Sequence, residues 1–229
     1  MAALIELNSI HFAYAAQPDV LRGVDLRLDA GERLCITGTN GAGKSTLLQL
    51  IVGLVTPRQG TIRAFGHIRQ REPDFHEVRR LAGLVFQDPD DQLFCPTVAE
   101  DIAFGPLNLG KNKAEALAIV DAVLSQLDIV HCRDRVTHKL SGGEKRLVTL
   151  AAVLAMEPRV LLLDEPNNAL DEAATERLVE VLTGLPQAMI MVSHDAHFRR
   201  HIATRTLRLH DGRITPPPEA RCQHAPKKQ

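Results

Sequence analysis

Apolar residues fall in short runs separated by turn formers, and the runs switch between two spacings. From residue 4 to 28 the pattern predicts short strands with a turn at Gln17-Pro18-Asp19. Arg33-Leu34-Cys35-Ile36-Thr37 is a compact apolar run that fits a buried strand. A glycine-rich turn follows. From Ser45 to Val52 the residues Leu47, Leu48, Leu50 and Ile51 recur at helical spacing, and Gly53 and Pro57 stop the helix. Residues 61–86 are mixed and end on Leu84-Val85-Phe86, a second buried strand. Between about 88 and 150 the character changes. Thr97-x-x-Glu100 is a capping box that opens a short helix, closed near Gly105-Pro106. Leu117, Val120, Val123, Leu124 and Leu127 form a helical stripe, so this stretch is expected to be an inserted helical lobe. Strand and helix then alternate again: Val160-Leu161-Leu162-Leu163, a helix from Glu172 to Leu182, and Met189-Ile190-Met191-Val192. Asp211-Gly212, between Arg205–Leu209 and Ile214, predicts a hairpin. Alternation of this kind argues for a largely parallel sheet covered on both faces. The proline-rich, polar stretch 216–229 is expected to be a mobile tail beyond one domain over 1–215.

Composition narrows the partners. The 229 residues are 45% apolar and 24% charged, which excludes a disordered or collagenous chain. A net charge of −1 supplies no global field for nucleic acid. No Trp and a single Tyr leave few rings for stacking bases, so no nucleic-acid partner is expected. No run approaches the roughly 18 apolar residues of a membrane span, and the N-terminus does not read as a secretory signal. Cys35, Cys95, Cys132 and Cys222 are scattered, so reduced thiols and a cytoplasmic setting are expected. His131-Cys132 and the Cys222/His224 pair complete no zinc pattern and read as solvated surface.

Candidate chemistry begins at Gly38-Thr39-Asn40-Gly41-Ala42-Gly43-Lys44-Ser45, which matches G-x-x-x-x-G-K-[ST] at every fixed position. Glycines let successive N–H groups face one anion, and the following helix adds its positive end. Lys44 is expected to reach the β- and γ-phosphates and Ser45 to ligate Mg²⁺. The motif alone does not separate kinases, GTPases and ATPases. Leu161-Leu162-Leu163-Asp164-Glu165-Pro166 sets two carboxylates at the C-terminal end of a strand, the edge where open α/β sheets bind ligands. Asp164 is positioned to hold Mg²⁺ through water, and Glu165 suits a general base for in-line attack. Leu140-Ser141-Gly142-Gly143-Glu144 then precedes an apolar helix. Ser141-x-x-Glu144 is itself a capping box, but a cap does not explain two glycines in a first helical turn. Bare N–H groups there offer a second anion site.

Together with Gln87, Ala169-Leu170-Asp171 and His194, these motifs occur in the order of an ABC-type ATPase, and the resemblance covers about residues 4–214. It implies a P-loop NTPase fold with a RecA-like core, an N-terminal antiparallel β subdomain and an inserted helical subdomain. It also implies a head-to-tail dimer with ATP and Mg²⁺ between subunits. Each ATP would touch the phosphate loop, through Thr46, of one chain and Ser141, Gly142 and Gly143 of the other. In that family's pattern Tyr14 stands where an aromatic stacks on adenine. Gln87 stands where a glutamine meets Mg²⁺ and the attacking water, and His194 where a histidine meets the γ-phosphate. Asp171 stands where an aspartate communicates across the dimer. Two departures stand out. Glu144 replaces a common glutamine, and the capping spacing predicts that its carboxylate turns back onto its own helix start. Asn167-Asn168 replaces small residues.

The segment from Phe86 to Phe94, with Thr97 to Pro106, resembles the energy-coupling-factor importers, most of all the cobalt/nickel type. That resemblance implies transmembrane scaffold and substrate-binding subunits and a place on the cytoplasmic face of the membrane. Leu93 and Phe94 are expected to be exposed for a partner groove; the alternative is that they cap the lobe's own core. Two other functions stay open: a non-transport ABC-type ATPase, and a small-molecule kinase with a purely structural double glycine. Lys44 and Ser141 are only 97 positions apart, too few for the coiled-coil insertion of DNA-repair relatives.

Overall fold

The structure, a computed structural model, describes residues 3–15 and 18–216. The tail expected over 217–229 and the Gln17 end of the first predicted turn lie outside the described residues. In chain order the elements are β1 (Ile5–Phe12), β2 (Leu21–Leu28), β3 (Arg33–Thr37), α1 (Lys44–Ile51), β4 (Gln59–Ala64), β5 (His67–Arg69), α2 (Phe75–Leu81), β6 (Ala82–Val85), α3 (Val98–Asn108), α4 (Lys113–Gln126), α5 (Gly142–Leu154), β7 (Val160–Asp164), α6 (Glu172–Gly184), β8 (Ala188–Val192), α7 (Ala196–Ile202), β9 (Arg205–His210) and β10 (Arg213–Thr215).

Two sheets result. β2-β1-β4-β5 is antiparallel, and β10-β9-β3-β8-β7-β6 is parallel except for β10 at its edge. Every residue of β7 and β8 is buried, as a strand covered on both faces requires. Alternate residues along these strands serve different cores. Leu34, Ile36, Leu162, Ile190 and Val192 pack with α1 and the antiparallel sheet. Cys35, Leu161, Leu163, Met189 and Met191 pack with α3–α6. Asp211 and Gly212, at φ 48° and 72°, form the two-residue hairpin between β9 and β10.

Three expectations change. The helix opened at Thr97 does not close at Gly105-Pro106; α3 runs on to Asn108 with Pro106 inside it. A residue before proline resists helix because its Cβ meets the ring, and Gly105 has none. Cys132 is not solvated surface: it is fully buried in the helical core. Leu93 is half-buried and packs on that same core, which leaves Phe94 alone exposed, edge-on to Phe104 at 4.8 Å. The mixed stretch 61–86 resolves into β4, β5 and α2. No helix among the described residues is long and apolar enough to cross a membrane. Cys35, Cys95 and Cys132 form no disulfide.

Parallel strands share one C-terminal edge. The glycine turn follows β3, Asp164-Glu165 ends β7, Ser193-His194 follows β8 and Gln87 follows β6. Topology therefore collects the candidate residues of four segments along one rim.

Candidate nucleotide site

The phosphate loop spans the turn between β3 and α1, with Thr39, Asn40 and Gly41 exposed and Gly38, Ala42 and Ser45 half-buried. Gly43 has φ 98°, and a Cβ there would lie 2.6 Å from Val20 Cγ1, so only glycine fits. No side chain caps α1, which leaves its first N–H groups directed into the loop. Lys44 is buried, and its Nζ donates to the carbonyls of Gly38 at 2.9 Å and Thr39 at 3.0 Å. Burial pulls its pKa down, and the carboxylates of Glu165 and Asp164 pull it back up. Thr46 is buried too, and its Oγ1 lies 2.9 Å from the Tyr14 hydroxyl. Tyr14 also meets Phe12 edge-on at 4.9 Å and is 39% exposed, so one end of α1 carries an anchored, accessible ring.

Asp164 is the last residue of β7 and is buried. Burial drives its carboxyl pKa up, opposed by a hydrogen bond with Ser45 and by the charges of Lys44 and Arg146. Its Oδ1 is buried without a hydrogen-bond partner. An orphaned carboxylate oxygen beside a hydroxyl fits a hard divalent cation, which prefers oxygen donors. Glu165 follows at φ 46°, a left-handed conformation costly for a residue with a side chain. Its N–H donates to the Val192 carbonyl at 3.0 Å, so the kink is pinned to β8. His194 Nε2 lies 3.0 Å from Glu165 Oε1, which aims the carboxylate.

Sequence reasoning missed how these turns are tied together. Asn167 accepts from Ser193 Oγ at 3.0 Å and donates to Asp195 at 3.2 Å, so the unusual Asn167-Asn168 pair joins the turns after β7 and β8. Arg146 of α5 is buried and donates to the carbonyls of Phe86 at 3.1 Å and Asn168 at 3.5 Å. Arg146 thus links the Gln87 turn to the Asn168 turn. A charged residue amid the apolar positions of α5 was the available signal. A cleft of about 580 Å³ between the sheet edge and the helical lobe is lined by Ser45, Gln87, Asp164 and Gly142.

Ser141 caps α5, accepting from the Glu144 N–H at 3.3 Å, while Glu144 Oε2 accepts from the Ser141 N–H at 2.8 Å. The carboxylate turns back onto its own helix start, as the spacing predicts. Its Oε1 is paired with Arg135. The two glycines have different reasons. A Cβ on Gly143 would come 3.1 Å from the Ala174 Cβ of α6, whereas one on Gly142 would meet nothing within 4 Å. Ser141 and Gly143 open onto a separate hollow of about 350 Å³ with His131 and Ala174, which shares no residue with the phosphate loop. Asp171 caps α6, accepting from the Ala174 N–H at 2.8 Å.

Glu144 carries a pH signature. The Ser141 N–H first, then the Arg135 guanidinium, hold its carboxyl down at about 2 from an ordinary 4.5. A lowered carboxyl pKa stabilises fully above the unfolded value and fades as pH falls through the folded one. Glu144→Ala is expected to cost about 1 kcal/mol at neutral pH, the usual worth of a helix cap. The gap from wild type should narrow between pH 4.5 and about 2. Urea titrations at several pH values check this. Weakened ATP-driven dimerisation without lower stability would instead place the carboxylate at the phosphates.

Placed together, the glycine turn, the strand-end carboxylates and the capped double glycine have the arrangement expected of an ATP-binding cassette. The sequence profile of the ABC transporter family matches residues 21–168, and the chain belongs to that family. It is an ABC-type ATPase, the ATP-binding subunit of a transporter. It is 43% identical to a cobalt import ATP-binding protein, CbiO, of Rhodobacter capsulatus, over 93% of this chain and 78% of that one. It superposes on cbiO1 from Clostridium perfringens, part of the ABC transporter complex cbiONQ, with TM-score 0.85 and 32% identity, covering 94% and 88% of the two chains. It also superposes on the cassette MJ0796 in a dimeric post-hydrolysis state bound to ADP and Pi, with TM-score 0.82 and 25% identity, covering 92% and 96%.

Proposed function

We propose that this chain drives import of a transition-metal ion, cobalt or nickel, by closing on ATP as a head-to-tail dimer beneath membrane subunits of the energy-coupling-factor type. One observation carries the dimer. Ser141 and Gly143 open onto a hollow that no phosphate-loop residue lines, and a Cβ on Gly142 would meet nothing within 4 Å among the described residues. A second copy supplies the reason: its γ-phosphate meets the N–H groups of Ser141, Gly142 and Gly143, and Asp171 lies at the same seam. The import assignment draws on the cobalt import relative and on cbiO1 of the cbiONQ complex.

In this reading Tyr14 stacks on the adenine, and the N–H groups from Gly38 to Thr46 cradle the phosphates. Ser45, Asp164 and Gln87 would hold Mg²⁺, which would supply charge neutralisation for the phosphates. Glu165 accepts the proton of the attacking water, with His194 fixing its carboxylate and reaching the γ-phosphate. Hydrolysis removes the bridging charge and the dimer reopens. Sedimentation of the chain with and without a non-cleavable ATP analogue tests the dimer; a monomer at saturating analogue refutes it.

The membrane contact falls on the helical lobe. Phe94, Phe104 and Leu109 are exposed and line a mainly apolar groove of about 270 Å³ beside Gly105. Near the Gln87 turn, such a groove suits an amphipathic helix of a membrane scaffold. Phe94→Asp with Phe104→Asp is expected to abolish co-purification with the membrane subunits and leave ATP hydrolysis by the isolated chain within about twofold. Retained co-purification would move the docking surface elsewhere.

A further inference from the structure

We infer that His131, Cys132 and Glu144 form a binding site for a borderline divalent transition metal, of the zinc, cobalt and nickel class, at the start of α5. Cys132 ends a 3-10 turn, Val130–Cys132, between α4 and α5, and Glu144 lies in the first turn of α5. The Cys132 Sγ is 3.7 Å from Glu144 Oε1, and His131 Nε2 is 3.6 Å from the same oxygen. The three ligand atoms all lie within 4.8 Å of one another.

Those spacings suit a tetrahedral ion. Bonds of about 2.3 Å to sulfur and about 2.0 Å to nitrogen and oxygen place ligand pairs roughly 3.3–3.5 Å apart. Two edges are already within a few tenths of an ångström of that. The third closes by turning the His131 ring, which is 63% exposed. A thiolate, an imidazole and a carboxylate together select borderline metals over Mg²⁺ or Ca²⁺, which want oxygen. The adjoining hollow lined by His131, Ser141 and Glu144 leaves room for water as a fourth ligand.

Glu144 is prepared for the role. Its Oε2 is taken by the Ser141 N–H at 2.8 Å, while Oε1 faces the other two ligands and the Arg135 guanidinium. Arg135 is partly exposed, also reaches the Lys139 carbonyl at 3.4 Å, and is free to turn outward when a metal takes over its charge. The Cys132 thiol donates to Glu144 Oε1, and metal binding replaces that hydrogen bond and releases the thiol proton to water. The fold builds this site by bringing Glu144 back to a His-Cys pair that is incomplete in the sequence. Metal binding itself is independent of the transport reading. Its consequence rests on that reading: the ion fastens the His131-Cys132 turn to the residue that holds Ser141, stiffening the helix start placed against a second copy's nucleotide.

Cobalt(II) titration of the reduced, chelator-treated full chain tests the site by absorbance. One equivalent should produce a thiolate-to-cobalt charge-transfer band and the intense visible bands of tetrahedral cobalt. Cys132→Ala should lose the charge-transfer band. His131→Ala, at an exposed position, should weaken cobalt binding about a hundredfold. Cys222→Ser should behave as wild type, which separates this site from the Cys222/His224 pair. No such band in wild type, a band unweakened in either the Cys132 or the His131 variant, or dependence on Cys222 would overturn the proposal.

Discussion

Glu165→Gln is expected to bind ATP and fail to turn it over. The amide has the shape of the carboxylate, keeps a hydrogen bond to His194, and cannot take the proton from water. Its backbone contribution is untouched, because the kink at φ 46° is held by the N–H to Val192. Losing a positioned general base costs about 10²–10⁴-fold in kcat. In the proposed dimer the substitution also removes the negative charge of Glu165 beside the γ-phosphate, so ATP affinity should rise, and the closed dimer should accumulate with ATP and Mg²⁺. Phosphate release measured beside light-scattering mass separates the two effects. A variant that hydrolyses within tenfold of wild type removes Glu165 from the base position. One that stays monomeric with ATP and Mg²⁺ removes the trapped dimer and leaves the base. His194→Ala provides the contrast: Glu165 keeps its carboxylate but loses the partner at 3.0 Å, so turnover is expected to fall by less than in Glu165→Gln.

Local signals account for most of the fold and rim. β3, the phosphate loop and α1 are readable because a five-residue apolar run, a glycine turn and a helical stripe each obey one short-range rule. The same holds for β7 and β8, which are buried on both faces and therefore continuous runs. What stayed hidden depends on partners distant in sequence. Pro106 looks like a stop until Gly105 is seen to relieve it, and Met156 packs into the space that Gly105 leaves: a Cβ would lie 2.6 Å from its Cγ. Arg146 reads as a break in an apolar helix until its acceptors, Phe86 and Asn168, come 60 and 22 residues away. The double glycine shows the limit best. Neither residue's reason lies in its neighbours along the chain: a Cβ on Gly143 would crowd Ala174 on another helix, and one on Gly142 would meet nothing within 4 Å among the described residues.

Lys44→Ala is expected to abolish most turnover without lowering stability, a pairing that separates a functional buried charge from a structural one. A buried ammonium is expensive unless paired, and here its pKa is held down by burial. Its two hydrogen bonds go to the carbonyls of Gly38 and Thr39. Those carbonyls lie on a partly exposed loop, where water takes the place of the lysine once it is gone. Truncation therefore removes a desolvation cost along with two replaceable hydrogen bonds, and the melting temperature should stay level or rise. The nearby carboxylates lose a counter-charge, so the Asp164 pKa should move further up, and its affinity for Mg²⁺ at mildly acidic pH should drop. Removing a preorganised cation from developing phosphate charge costs about 10²–10³-fold in kcat. Differential scanning calorimetry and steady-state phosphate release on the same preparation decide the matter. A marked fall in melting temperature with proportionate loss of activity would make Lys44 a strut of the loop. Loss of activity in a protein at least as stable as wild type would mean that the loop keeps a destabilising charge for the sake of its phosphate.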